Sequence, residues 1–176
     1  MPAVSTCGMK AELLAHDNRR PAVKIDPVQA TLHGLVQTFE KMLDDSPAPD
    51  GAIDVRSGSF YVEDTTAIIP LVGTARGAML VSMPDQVACK AYAAFTGGDC
   101  AHVDDDVLDG LKEIVNIAAG AAAARMVPYK IGLGLPTVMS GQKQRLLGNP
   151  SAPWHFVPMK SNKFGNFWIA ITLEEV

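Results

Sequence analysis

Asp109, Glu113 and Asn116 are the residues whose types and spacing could do chemistry. They stand four and three positions apart within residues 104–126, DDDVLDGLKEIVNIAAGAAAARM. On a helix that advances about 100° per residue, steps of three and four return to one face, so these side chains are neighbours. Two carboxylates beside a neutral amide could hold a cationic group and orient a water. An amide both accepts and donates without adding charge.

The opposite side of the same stretch is apolar. Val107, Leu108, Leu111, Ile114, Val115, Ala118 and Ala122 form a stripe that should face a core. The polar side carries acids and an amide, and no lysine follows Glu113 at the fourth position. Gly110, Gly120, Ala119, Ala123 and Ala124 leave nothing tall around it. Ile117 lies about 40° from Glu113 on that outward side, an apolar residue with no core to enter. An exposed carboxylate, an amide and an isoleucine on a shaved helix have the look of a docking face. The plainer alternative is a solvated helix face.

The whole chain bounds the problem. Its 176 residues suit one domain, and 48% apolar with 19% charged composition is that of a globular protein. A net charge of −4 disfavours nucleic acid, which calls for a clustered basic face. No apolar run approaches the roughly 18 residues of a membrane span, and no signal-peptide pattern opens the chain. Cys7, Cys89 and Cys100 lack metal-ligand spacing, and free thiols in a reducing cytoplasm are the simple expectation. His16, His33, His102 and His155 are scattered, as surface or packing residues would be. Gly132-Leu133-Gly134 does not open a helix, so it is a poor phosphate loop.

The elements that must position the motif follow in order. Residues 1–24 show no sustained period and read as a flexible tail, leaving residues 25–176 as the domain. Residues 26–43 are a helix, with Asp26 as cap, Pro27 at the first position, and Val28, Leu32, Leu35, Val36, Phe39 and Leu43 as the buried stripe. A loop at 44–51 leads to three strands, 53–62, 67–72 and 78–83, the last two joined by a glycine-bounded loop at 73–77. The near-continuous apolar run Ile68 to Val72 predicts a central hairpin, with Pro70 as a complication. Residues 85–95 are a shorter helix capped by Asp85 and ended by Thr96-Gly97-Gly98. The long helix is next, capped by one of Asp104, Asp105 and Asp106; that trio suits the helix macrodipole and could alternatively bind a cation. Strands at 135–140, 155–159 and 166–173 close the chain. The last is apolar on both faces, so a helix layer should cover one and something else the other. Helix, three strands, two helices, three strands is an α+β plan.

At this point the residues resemble a family. Asp109-Gly-Leu-Lys-Glu113-Ile-Val-Asn116 is similar to the signature of the CheC/CheX/FliY phosphatases of bacterial chemotaxis: Asp or Ser, three residues, Glu, two residues, Asn. LPTVMSG at 135–141 resembles the CheX strand that follows this helix, and PLVGTARGAMLVSM at 70–83 resembles the CheX hairpin before its second helix. The resemblance covers about residues 26–173. It implies a CheC-like fold, an antiparallel six-stranded sheet with two long helices and one shorter helix packed on one side. The first helix, ATLHGLVQTFEKML, has no Glu-x-x-Asn, so one active face per chain fits the CheX-like branch, which forms homodimers.

The family removes phosphate from the aspartyl-phosphate of CheY-type response regulators, in the cytoplasm. An aspartyl-phosphate is already reactive, so a catalyst has chiefly to place a water in line with phosphorus. Asn116 suits that task. The resemblance implies that Glu113 pairs with the regulator's active-site lysine. Asp109 would be an outer contact, and Ile117 and Gly120 would allow close apposition. Mg2+ would belong to the receiver's acidic site, with no metal held by this chain. Two other readings stand beside this one: a module that binds a response regulator or flagellar-switch partner without hydrolysis, and a metal-dependent hydrolase using Asp104, Asp105, Asp106 and His102.

Overall fold

Asp26 opens the first helix, α1 (Pro27–Met42), in the computed structural model, which describes residues 26–176. The expected tail at 1–24, and Cys7 within it, lie outside the described residues. The Asp26 carboxylate accepts from the Val28 amide at 3.0 Å, and Pro27 needs no partner for the N–H it lacks. After α1 come β1 (Ala48–Pro49), β2 (Asp54–Arg56), β3 (Ser59–Tyr61), β4 (Thr65–Gly73) and β5 (Ala75–Met83). Then follow α2 (Asp85–Thr96) and α3 (Asp105–Ala123). The chain ends with β6 (Ile131–Leu133), β7 (Thr137–Ser140), β8 (Arg145–Leu147), β9 (Trp154–Ser161) and β10 (Gly165–Glu175).

The main sheet is antiparallel, in the order β1-β9-β10-β5-β4-β6. It is six positions wide but holds eight strands, because β2 also pairs with β9 and β7 also pairs with β4. The α+β class and the six-position width match expectation. The strands not expected, β1, β6 and β8, are pieces of two or three residues, fixed by their partners rather than by any pattern of their own. The expected strand at 53–62 is broken at Ser57-Gly58 into β2, on the main sheet, and β3, which pairs with β8 in a separate ribbon.

Alternation along the strands makes two cores. Ala67, Ile69, Leu71, Met79, Val81, Met83, Val157, Met159, Phe167, Ile169 and Ile171 face the helices. Phe39 of α1 stacks on Phe167 with centroids 5.5 Å apart and meets Phe164 edge-on at 6.1 Å. On the other face Leu80, Phe156 and Ala170 join Trp154 and Phe60, under the β3–β8 ribbon. The chain itself therefore supplies what covers the second face of the C-terminal strand.

Several local expectations are corrected. The β4–β5 connection has the expected five residues but lies at 72–76, closed by the Leu71–Gly77 pair; Val72 and Gly73 pair with β6, and Ala75 and Arg76 with β10, so Thr74 alone lies outside a strand. Pro70 sits in a central hairpin without loss, because it falls between the residues of β4 that pair with β7 and those that pair with β6. Its missing N–H is not called upon there, while its carbonyl accepts from the Gly134 amide at 2.8 Å. Pro84, not Asp85, is the N-cap of α2; the Asp85 carboxylate instead accepts from the Thr65 hydroxyl at 2.6 Å. Gly97 ends α2 in the left-handed conformation, φ 73°, as expected of that glycine pair. Cys89 and Cys100 are joined as a disulfide, contrary to the free thiols expected. No sequence spacing signals that link, because α2 and the following loop turn back on each other to create it.

α1 and α3 approach unusually closely. A Cβ on Gly34 would lie 2.5 Å from the Ala118 carbonyl oxygen and 2.6 Å from the Ala122 nitrogen. The buried face of α1 is wider than its apolar stripe for this reason. Ala30, Thr31, Gly34 and Thr38 face inward, while Leu32 and Val36 are only half-buried. The Thr31 and Thr38 hydroxyls donate back to the carbonyls of Pro27 and Gly34, both at 2.8 Å, so neither is left unsatisfied. At the end of α1, Lys163 of the β9–β10 turn donates to the Asp44 carboxylate at 2.8 Å. That bond and the lysine charge hold the carboxyl below its ordinary value. The small gain is complete above the ordinary carboxylate range and is lost as pH falls through the lower folded value.

Candidate functional site

The candidate site is the outer face of α3. The helix starts where expected: the Asp104 carboxylate accepts from the Val107 amide at 3.0 Å, and Asp105 and Asp106 lie in the first turn, where the macrodipole favours acids. It ends at Ala123, and Met126 turns into the core just beyond. Val107, Leu111, Ile114, Val115, Ala118 and Ala122 are buried as expected, and Leu108 is half-buried. Val107, Leu111, Ile114 and Val115, each worth about 1.5–3 kcal/mol when buried, fix which side of the rod faces out. α1 packs on its later half, and β4, β6 and β7 contact it from the sheet.

Asp109 and Glu113 are exposed, and Asn116, Ile117 and Gly120 are half-buried on the same side. Neither Glu113 nor Asn116 spends its side chain on another described residue. Asp109 differs: Lys112 donates to it at 2.7 Å, three residues along the helix. This pair brings a cation to the edge of a stripe expected to hold only acids and an amide. Both partners are substantially exposed, so the bond is worth about 0–1 kcal/mol and opens readily. Lys112 could have been found from its i+3 spacing.

Two of the small residues are not bare. Ala119 is fully buried, and Gly110 lies under the Tyr92 ring of α2, where a Cβ would come within 2.5 Å of that ring. Gly120 is open as expected: the nearest atom to a Cβ there is Leu133 Cδ1 at 3.9 Å. Tyr92 and Leu133, the shoulders of the face, come from elements distant in sequence, and nothing within the motif announces them.

The face is convex. A cleft of about 190 Å3 lies on the far side of the sheet, lined by Arg56, Tyr61, Glu63, Phe156 and Trp168. A second, of about 170 Å3, lies beside the start of α3, lined by Tyr92, Cys100, His102, Asp104 and Asp106. Glu113 and Asn116 line neither. Among the described residues no group of three His, Cys, Asp or Glu side chains could hold a metal, so His102 and the acids at 104–106 do not converge as a hydrolytic metal site would require. A carboxylate and an amide that project from a rigid rod can bond a cation and a water on another molecule. They enclose no substrate of their own.

The fold has counterparts among solved structures. The chain resembles the chemotaxis protein CheX of Desulfovibrio desulfuricans with a TM-score of 0.76 at 22% identity, over 85% of this chain and 100% of that one. A CheC-like superfamily protein from Shewanella sp. PV-4 matches with a TM-score of 0.76 at 20% identity, over 85% and 98%. A chain of the CheX–CheY–BeF3–Mg2+ complex from Borrelia burgdorferi matches with a TM-score of 0.69 at 17% identity, over 86% and 99%. These likenesses establish the CheC-like fold. No curated protein sequence matches the chain. The sequence model of the family described as chemotaxis phosphatase CheX matches residues 65–160, more than half the chain and all of α3, and the chain belongs to that family.

Proposed function

We propose that this protein is an aspartyl-phosphate phosphatase that acts on a CheY-type response regulator. The observation that carries the reading is the outer face of α3: an open Glu113 and a half-exposed Asn116, one turn apart on a rigid helix and uncommitted to any described residue. Such a site is complete only when a second molecule supplies the phosphoryl group. Glu113 bonds the regulator's active-site lysine, a charge-assisted contact worth about 1.5–3 kcal/mol once desolvated. Asn116 orients the attacking water in line with phosphorus, and its neutral amide adds no repulsion beside the phosphoryl oxygens. Asp109, Ile117 and Gly120 form the surrounding contact, and Lys112 releases Asp109 on docking. Mg2+ is brought by the receiver, as the Borrelia complex, which contains it, suggests.

The test is release of phosphate from a panel of phosphorylated receiver domains. Acceleration by the chain supports the reading. Tight binding with unchanged release would make the protein a non-catalytic binding module. Glu113→Lys should weaken association itself, by about tenfold or more, through like-charge contact with the receiver's lysine. Unchanged affinity on titration would remove Glu113 from that role.

Two further parts of the proposal are cytoplasmic location and homodimerisation. No helix among the described residues is long and apolar enough to cross a membrane. For a dimer, the exposed Ile53 and Val55 beside and on edge strand β2 offer one apolar surface, now that β10 is covered on both faces. Val55→Asp should shift a dimer to monomer in sedimentation; a monomeric parent protein would end the idea.

A further inference from the structure

Cys89 lies within α2 and Cys100 in the loop that enters α3, eleven residues apart with Cα atoms 5.2 Å from each other. We propose that this cystine is a reversible redox clamp that sets the order of the first turns of α3, the part that carries Asp109 and Glu113. The site is the one assigned above, but the clamp concerns the chain's own thiols and helix and stands apart from the phosphatase reading.

Three observations converge. The chain from Cys100 to Asp104, the cap of α3, is only four residues, so the bond fixes where the helix begins. Tyr92, one turn after Cys89 on α2, covers Gly110 between Asp109 and Leu111, so the bonded helix also carries the contact on the second turn. Further along, Gly34 of α1 meets the α3 backbone at Ala118 and Ala122, beyond the turns that the cystine and Tyr92 reach. Cys100 is half-buried and lines the cleft of about 170 Å3 beside Tyr92, Asp104 and Val107, whereas Cys89 is buried. Reagents therefore meet Cys100 first.

In a reducing compartment such a bond is transient rather than permanent. With glutathione disulfide as oxidant, the Cys100 thiolate attacks one of its sulfurs and expels one glutathione thiolate, giving a mixed disulfide. The Cys89 thiolate then attacks the Cys100 sulfur and expels the second. The protein pair loses two electrons, glutathione disulfide gains them, and the two thiol protons pass to the two released glutathiones. Reduction is the reverse sequence.

The experiment uses the full chain with Cys7→Ser, equilibrated in glutathione buffers of rising oxidised fraction. Thiol alkylation with intact-mass measurement counts the free cysteines, and hydrogen exchange reads the helices. Cys89 and Cys100 should lose their thiols together in the monomer. Amides of residues 105–113 should then exchange about tenfold more slowly, with residues 114–123 and α1 unchanged. The Cys89→Ser/Cys100→Ser variant in the same background should exchange like the reduced form at every glutathione ratio. Stable mixed disulfides, interchain links, a cystine that leaves residues 105–113 unaltered, or a serine variant that follows the ratio would each overturn the clamp. Phosphate release enters none of these readouts, so failure of the clamp and failure of the phosphatase reading are separate results.

Discussion

Asn116→Ala should slow phosphate release from a phosphorylated receiver by about 10²-fold or more, while affinity for the receiver stays within about threefold, as for loss of other positioned polar groups in active sites. A hundredfold loss is about 2.7 kcal/mol of barrier, within what a single oriented hydrogen-bonding group supplies. The amide projects from a helix whose inner side is locked by Ile114, Val115, Ala118 and Ala119, all 2% exposed or less, so its position is set before the partner arrives. That preorganisation is where its effect on rate arises. Removal of the side chain leaves Glu113 to make the lysine contact, so binding is spared. Asn116→Asp tests charge against size: it keeps the shape, adds a negative group beside phosphate, and should also slow turnover strongly. Turnover of the alanine variant within a factor of two of the parent would show that Asn116 does not place the water.

Gly34→Ala should lower stability by about 1–3 kcal/mol, the usual cost of overpacking. Two effects oppose each other. Alanine in a helix interior is better than glycine by about 0.8–1.0 kcal/mol. Against that, the new methyl would sit 2.5–2.9 Å from the Ala118 oxygen and the Ala122 nitrogen and Cα, all backbone atoms of α3. A flexible side chain could move aside, but a helix backbone moves only as a whole, so the collision wins. For a domain of this size each kcal/mol is about 2–4 °C in Tm, and a calorimetric fall of several degrees is the expected reading. Because α3 is what must shift, phosphate release should fall as well, and by more than the loss of folded protein explains. A Tm equal to or above the parent's would mean that α1 and α3 can separate at no cost.

The parts of this architecture that were legible from sequence are those that obey a local rule. α3 was bounded to within a few residues because the apolar period, an aspartate cap and a following proline agree. The exposed side that holds Glu113 follows from that same period. The centre of the sheet is readable because β4, β5, β9 and β10 are long enough to show apolar runs or alternation. Contacts between distant segments were hidden. Tyr92 over Gly110 and the Cys89–Cys100 link depend on how α2 folds back towards α3, and no spacing encodes that turn. Pro84 and Asp85 stand side by side at the start of α2. Local sequence favours the aspartate as cap, because the competing bond from Thr65 comes from 20 residues away. Strands β1, β6 and β8 are too short to have a period at all.

The two-layered interior has an optical consequence. Both tryptophans of the chain, Trp154 and Trp168, stand on the ribbon side of the sheet, with Arg56 within 5.5 Å of the Trp168 ring and 4.4 Å of neighbouring Phe156. On the helical side Tyr92 and Tyr129 are the only phenol or indole chromophores, and they emit weakly beside an indole. Intrinsic emission is therefore a probe of the layer remote from α3, and far-ultraviolet dichroism at the helical band is a probe of the near one. Superposition of the two melting curves marks a sheet that ties both sides into one cooperative unit, and divergence marks a ribbon that lets go on its own.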